Sequence, residues 1–196
     1  MDYTGLKSAV VGYSKRTDLD ASMDLFTELA EATINKDLRA LEMEKLSFIT
    51  LTDTYLDLPT DYLGIRAMMV DGAPHKYSIP LVSIEQLGGQ DTGGNLAFFT
   101  VHGNQFEFRP GPTVEAPQDV ELSYYARVPS LITESTNVIL DDYPMIYLSA
   151  MLIQVYLYLQ DDVEMGKWVQ SFNSQVQAAN KSAVGGRYLT AQVRVA

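Results

Sequence analysis

The run YPMIYLSAMLIQVYLYL at 143–159 constrains this chain more than any other stretch, because almost every side chain in it is apolar or aromatic. It is too long for an ordinary strand and lies at the short end of the ~17–25 residues that cross a bilayer. Asp141 and Asp142 precede it, Asp161 and Asp162 follow it, and Gln154 lies inside it. No basic cluster flanks it, as a membrane span would want. The run predicts a helix buried on all sides, in a protein core or between subunits. A helix apolar on every face, in a domain of three or four helices, has few ways to cover itself within one subunit. That argues for oligomerisation, with Tyr147, Met151, Tyr156 and Tyr158 as candidate interface residues. The bland alternative puts most of these tyrosines in the core or on half-buried surface.

The rest of the chain reads as helices at both ends with a β-rich middle. Leu6 and Val10 share one face of a short first helix. Phe26, Ala30, Ile34, Leu38 and Leu41 recur at helical spacing, with Leu29 beside them and Ser22 as a candidate N-cap. From 46 to about 128 the texture changes to β-formers, Gly and Pro. Phe98 to His102 and Gln105 to Arg109 flank Gly103-Asn104, the signature of a two-residue type II′ hairpin. That register opposes Val101 to Phe106 and Phe99 to Phe108 on one buried face, and leaves Thr100, His102, Glu107 and Gln105 on the wetter side. Ser83 with Gln86 suggests a capping box for one helical turn. Residues 88–95 (GGQDTGGN) read as a flexible loop. Leu122, Tyr124, Ala126 and Val128 alternate as the inward face of another strand. Asp161-Asp162, with Glu164, should cap a last helix whose stripe is Met165, Trp168, Val169, Phe172, Val176 and Ala179. Gly185-Gly186 should stop it, leaving a strand-like tail at 187–196.

The expected fold class is therefore α+β: a helical bundle built from both chain ends with an inserted small β-sandwich-like module. The boundaries fall at 1–45, 46–130, 131–186 and a C-terminal arm at 187–196.

No chemistry rises from this pattern. The 196 residues include no cysteine, which excludes disulfides, thiolate metal sites and thiol nucleophiles. His75 and His102 share no metal-ligand spacing with carboxylates. There is no G-x-S-x-G, and the glycine-rich loop lacks the Lys-Ser/Thr of a phosphate cradle. The Asp141-Asp142 and Asp161-Asp162 pairs read as carboxylates placed at helix N-termini. The expectation is no catalytic residue, no metal and no cofactor, although a two-carboxylate hydrolase depends on fold and stays open. A net charge of −11 disfavours gripping DNA, yet suits either solubility or a channel wall along which DNA slides. The first residues show no signal-peptide pattern, and no membrane association is expected.

Five segments carry a family resemblance: LAEATINKDLRALEME (29–44), YLDLPTDYLGIRAMMVDG (55–72), LVSIEQL (81–87), ELSYYARVPSL (121–131) and DDYPMIYLSAMLIQVYLYLQDD (141–162). In this order the chain resembles the head-to-tail connector adaptors of tailed bacteriophages, the tail tubular protein A-like group. The resemblance implies a structural virion protein at the neck, made in the host bacterial cytoplasm. It implies a ring of about twelve copies below the portal, with a tail tube or nozzle on the other side and DNA passing through the lumen. It also implies that the C-terminal arm, here Arg187, Tyr188, Leu189, Val193 and Arg194, reaches the portal by adding backbone to a partner. The alternatives are a monomeric binding module or assembly chaperone, and a small acidic-site hydrolase.

Overall fold

The computed structural model describes residues 1–72, 75–87 and 95–192, with side chains described as far as 185. The protein is a mixed α+β chain that divides into two compact units: Met1–Met43 together with Val128–Ala196, and Glu44–Arg127.

The first unit is helical. Helix α1 (Tyr3–Ser14) starts at Asp2, whose carboxylate accepts the Gly5 N–H at 2.8 Å, and buries Leu6 and Val10. Helix α2 (Met23–Asp37) buries Met23, Phe26, Ala30 and Ile34. It ends earlier than the hydrophobic spacing implies. Leu38 turns extended yet stays buried, and Leu41 lies exposed. The short α3 (Val138–Asp142) is capped by Asn137, which accepts the Leu140 N–H at 2.9 Å. Helix α4 (Pro144–Tyr158) realises the apolar run, with Pro144 in its first turn, where the missing N–H costs nothing. Helix α5 (Asp162–Gln192) follows, and Asp161 accepts the Glu164 N–H at 3.1 Å at its start.

Helices α1, α2, α3 and α5 all pack on α4. Four neighbours cover Ile146 through Leu152 and Val155, so one subunit hides most of the apolar helix after all. Its two ends stay out, Met145 at the start and Leu157 and Tyr158 in the last turn, the latter two 57% and 61% exposed. On α5 the buried seam is Phe172, Val176, Ala179 and Ala183. Met165, Trp168 and Val169 are half-buried, and the Trp168 ring meets Tyr13 edge-on at 5.4 Å.

Gly185-Gly186 does not stop α5. The backbone stays helical to Gln192, which overturns the strand-like reading for 187–192. A mid-helix glycine costs only about 1 kcal/mol relative to alanine, and no proline follows to enforce a break.

Polar side chains pin the two places where the backbone leaves and re-enters this unit. Asn180 accepts the Arg39 N–H at 2.7 Å and donates to the Asp37 carbonyl at 3.0 Å. Asn35 accepts the Val128 N–H at 2.9 Å, and Glu31 accepts the Leu131 N–H at 2.7 Å. Asn137 donates to the Pro129 carbonyl and to the Tyr147 hydroxyl, both at 2.7 Å. Each bond satisfies a backbone or hydroxyl group that would otherwise be buried or strained.

The second unit holds two antiparallel sheets. The four-stranded sheet has the order β1 (Glu44–Leu51), β7 (Gln118–Ala126), β3 (Tyr62–Val70), β4 (Tyr77–Ser78). The three-stranded sheet has the order β2 (Tyr55–Asp57), β6 (Gln105–Arg109), β5 (Phe98–His102). Val120, Leu122, Tyr124 and Ala126 of one sheet share a core with Phe99, Phe106 and Phe108 of the other. The predicted hairpin register holds, with Phe99 opposite Phe108 and Val101 opposite Phe106. Gly103 takes φ +61°, as the first turn position of type II′ requires.

Its second face is drier than the alternation implies. The segment Pro80–Val82 lies along β5, with the Val82 N–H bonded to the Phe99 carbonyl at 2.9 Å. Thr100 is thereby covered, Glu107 on the middle strand is buried as well, and Val101, expected on the buried face, is 37% exposed. The Thr100 hydroxyl donates to the Val82 carbonyl, and Glu107 pairs with Arg109 at 2.7 Å. Half of the expected capping box forms: the Ser83 N–H is bonded to Gln86 Oε1 at 3.2 Å ahead of a 3₁₀ turn at Ile84–Leu87, while the Gln86 N–H goes to the Ser83 backbone carbonyl at 3.0 Å.

Candidate functional site

Catalysis needs titratable groups that converge in a concavity. Among the described residues no three His, Cys, Asp or Glu side chains come together as a metal site. His75 is exposed, and His102 is exposed with Nδ1 3.8 Å from Glu107. Asp161 caps α5 as expected, but Asp141 and Asp142 are the last residues of α3 and Tyr143 stands at the start of α4, so that pair is not at a helix N-terminus. Asp141 instead accepts from the Thr136 hydroxyl at 3.0 Å and from the Met1 amino group at 3.3 Å. Residues 88–94 of the glycine-rich loop lie outside the described residues.

A concavity of about 310 Å³ opens on the second unit beside Phe48, Thr50, Lys76, Asp119 and Glu121. Asp71 lines it as well, and two of its three carboxylates are engaged by neighbours. Thr50 donates to Asp119 at 2.6 Å, and Lys76 pairs with Glu121 at 2.8 Å while lying 5.9 Å from the Phe48 ring centre. Asp119 and Glu121 are thus held by neighbours. Asp61, elsewhere in this unit, is held below the usual carboxylate range. Burial pushes it up, but bonds from Lys45 at 2.5 Å and Tyr124 at 3.0 Å outweigh that.

What the molecule does present is apolar surface. Leu25 and Leu29, one turn apart on α2, are 54% and 44% exposed. Leu46 and Phe48 alternate on β1, a sheet-edge strand, and Phe48 is 72% exposed. Exposed apolar pairs of this kind on a helix face and an unpaired edge mark contact surfaces.

The candidate interface residues separate into two groups. Tyr147 and Met151 are fully buried inside their own unit and reach no surface. Tyr147 is bonded to Asn137, and Met151 Sδ accepts from the Thr27 hydroxyl at 3.8 Å. Tyr156 is half-buried and bonds the Tyr13 carbonyl at 3.4 Å. Tyr158 alone is well exposed, with its ring edge against Phe26 at 5.6 Å. In the arm, Arg187, Tyr188 and Leu189 belong to α5, and Val193 and Arg194 lie outside the described residues. Leu25 and Phe48 were not singled out from sequence. The available signal is leucine at i, i+4 outside the main stripe of an amphipathic helix, and Leu46 and Phe48 at alternate positions of a strand whose next alternate residue, Thr50, is polar.

Apolar pairs left exposed on a helix face and on a sheet-edge strand give the protein surfaces of the kind that contact other proteins. A family model described as SU10 adaptor protein matches residues 1–196. The chain belongs to the SU10 adaptor protein family, a family of phage head–tail adaptors, and is thus a structural adaptor of the virion and not a member of a known enzyme class. No curated protein matches it. No helix among the described residues is long and apolar enough to cross a membrane.

Proposed function

We propose that this chain is a subunit of the connector ring that docks below the portal and joins the DNA-filled head to the tail, as the tail tubular protein A-like adaptors do. The family match along the whole length carries this reading. About twelve copies close the ring through heterologous contacts, in which two different faces of each subunit meet. The helical unit, drawn from both ends of the chain, is the ring body, and the inserted β unit faces the tail tube or nozzle. DNA passes through a lumen that an excess of carboxylates keeps from retaining it. The C-terminal arm at 187–196 engages the portal, entering as a continuation of α5.

Native mass spectrometry of the protein mixed with portal rings tests this. A discrete step of many adaptor copies per portal ring is expected. Removing 187–196 should leave the melting curve unchanged and weaken that association. A folded chain that never adds to a portal ring overturns the connector reading. A truncated chain that adds normally overturns the arm assignment alone.

A further inference from the structure

The charge of this chain is divided along its length. Residues 167–196 hold four of the 14 basic residues (Lys167, Lys181, Arg187 and Arg194) and none of the 25 acidic ones. The remaining 166 residues carry ten basic against 25 acidic. Helix α5, about 46 Å long at 1.5 Å per residue, holds Asp162 and Glu164 in its first turn and only basic charges beyond them (Lys167, Lys181 and Arg187), on a chain of net charge −11.

Its inner face is used and its outer face is not. The buried seam through Phe172, Val176, Ala179 and Ala183 lies on one side of the helix. Lys181 lies on the opposite side, flanked by the exposed Gln177 and Ala178, with Val184 46% exposed nearby. Small and uncharged polar residues there allow another helix to come close.

Helix α2 offers the complementary face within the same unit. Leu25, Glu28, Leu29 and Ala32 are exposed on the side away from the buried Met23, Phe26, Ala30 and Ile34. Asp24 borders this face and already attracts cations, with Lys7 at 4.0 Å. The patch is apolar at its centre, acidic over its first two turns, and closed by Lys36 at its far end.

We propose that the outer face of α5 in one copy of this chain docks on the outer face of α2 in the next copy, with Lys181 set against Glu28. The occupant is a second copy because the two faces complement each other in charge and in exposed aliphatic groups, and because they differ. A contact between two different faces repeats head to tail, which a closed ring requires. The proposal rests on the ring reading above and names the contact that builds it.

The cysteine-free sequence makes the contact directly testable. Full-length Leu29→Cys and Val184→Cys proteins would be mixed at concentrations where the wild type assembles, then treated with a short bismaleimide. Covalent dimers should form in the mixture and not with either variant alone. In parallel, Lys181→Glu should weaken assembly by roughly tenfold at low salt, and adding Glu28→Lys to the same chain should restore it. Assembly without mixed cross-links, and indifferent to Lys181→Glu, overturns this contact and leaves the ring reading standing. A wild-type chain that stays monomeric at every concentration, alone and with portal, overturns both.

Discussion

Glu31 and Asp61 are both carboxylates that hold structure, and they should respond to pH with opposite sign. Burial pushes the Glu31 carboxyl above its usual range, and the hydrogen bonds it accepts from Leu131 and Ser130 only partly offset this. Its contribution to stability is therefore complete below the ordinary carboxylate range and is lost as pH rises through the raised value. Glu31→Gln keeps an oxygen for the Leu131 N–H and never charges. Thermal melts from about pH 4 to pH 7 should show this variant gaining on the wild type as pH rises. Parallel curves would mean that the Glu31 carboxylate is not penalised in the folded protein. Asp61 is held low, so its contribution is present above the ordinary range and lost as pH falls through the lowered value. Asp61→Asn should be the less stable protein near neutrality, with the gap closing in acid. Neither role could be read from sequence. An amphipathic pattern marks Glu31 only as a polar residue on a helix, and its partner lies 100 residues away.

At the scale of elements, periodicity located what local chemistry controls. The hairpin register followed from Gly103-Asn104 and the flanking alternation, and Leu122, Tyr124 and Ala126 do face inward. What failed was information held by neighbours. Thr100 reads as wet because nothing in β5 announces that Pro80–Val82 will lie along it. Tyr147 and Met151 read as interface candidates because the sequence does not say that four helices crowd onto α4. The Gly185-Gly186 pair read as a stop, yet an added Cβ at Gly185 would meet open space inside a continuing helix. Gly185→Ala should therefore stabilise the last turns of α5 by about 1 kcal/mol. Slower amide exchange beyond residue 184 is the expected readout, and faster exchange would refute the helical course.

For the whole molecule, the division at Met43/Glu44 and Arg127/Val128 makes the β unit a separable piece. It has its own core, and its first and last strands are antiparallel neighbours, with Glu44 opposite Tyr125. A fragment of residues 44–127 should fold alone and melt cooperatively, because cutting there leaves a closed strand pair at its ends. A fragment lacking cooperative melting would show that the helical unit is needed to hold it.

The pairing of Glu44 with Tyr125 also decides how the chain carries load. Tension between the two units enters the β unit through both strands at the same end, so the two strands share it side by side. The eight-residue register from Glu44 to Leu51 is then neither sheared nor peeled from one end. At the roots of those strands, Asn180 grips the backbone at Arg39 and Asn35 grips it at Val128. A joint tethered in this way should give at the side-chain grips before the sheet, so that a pull on the helical unit reaches the β unit as a shared load.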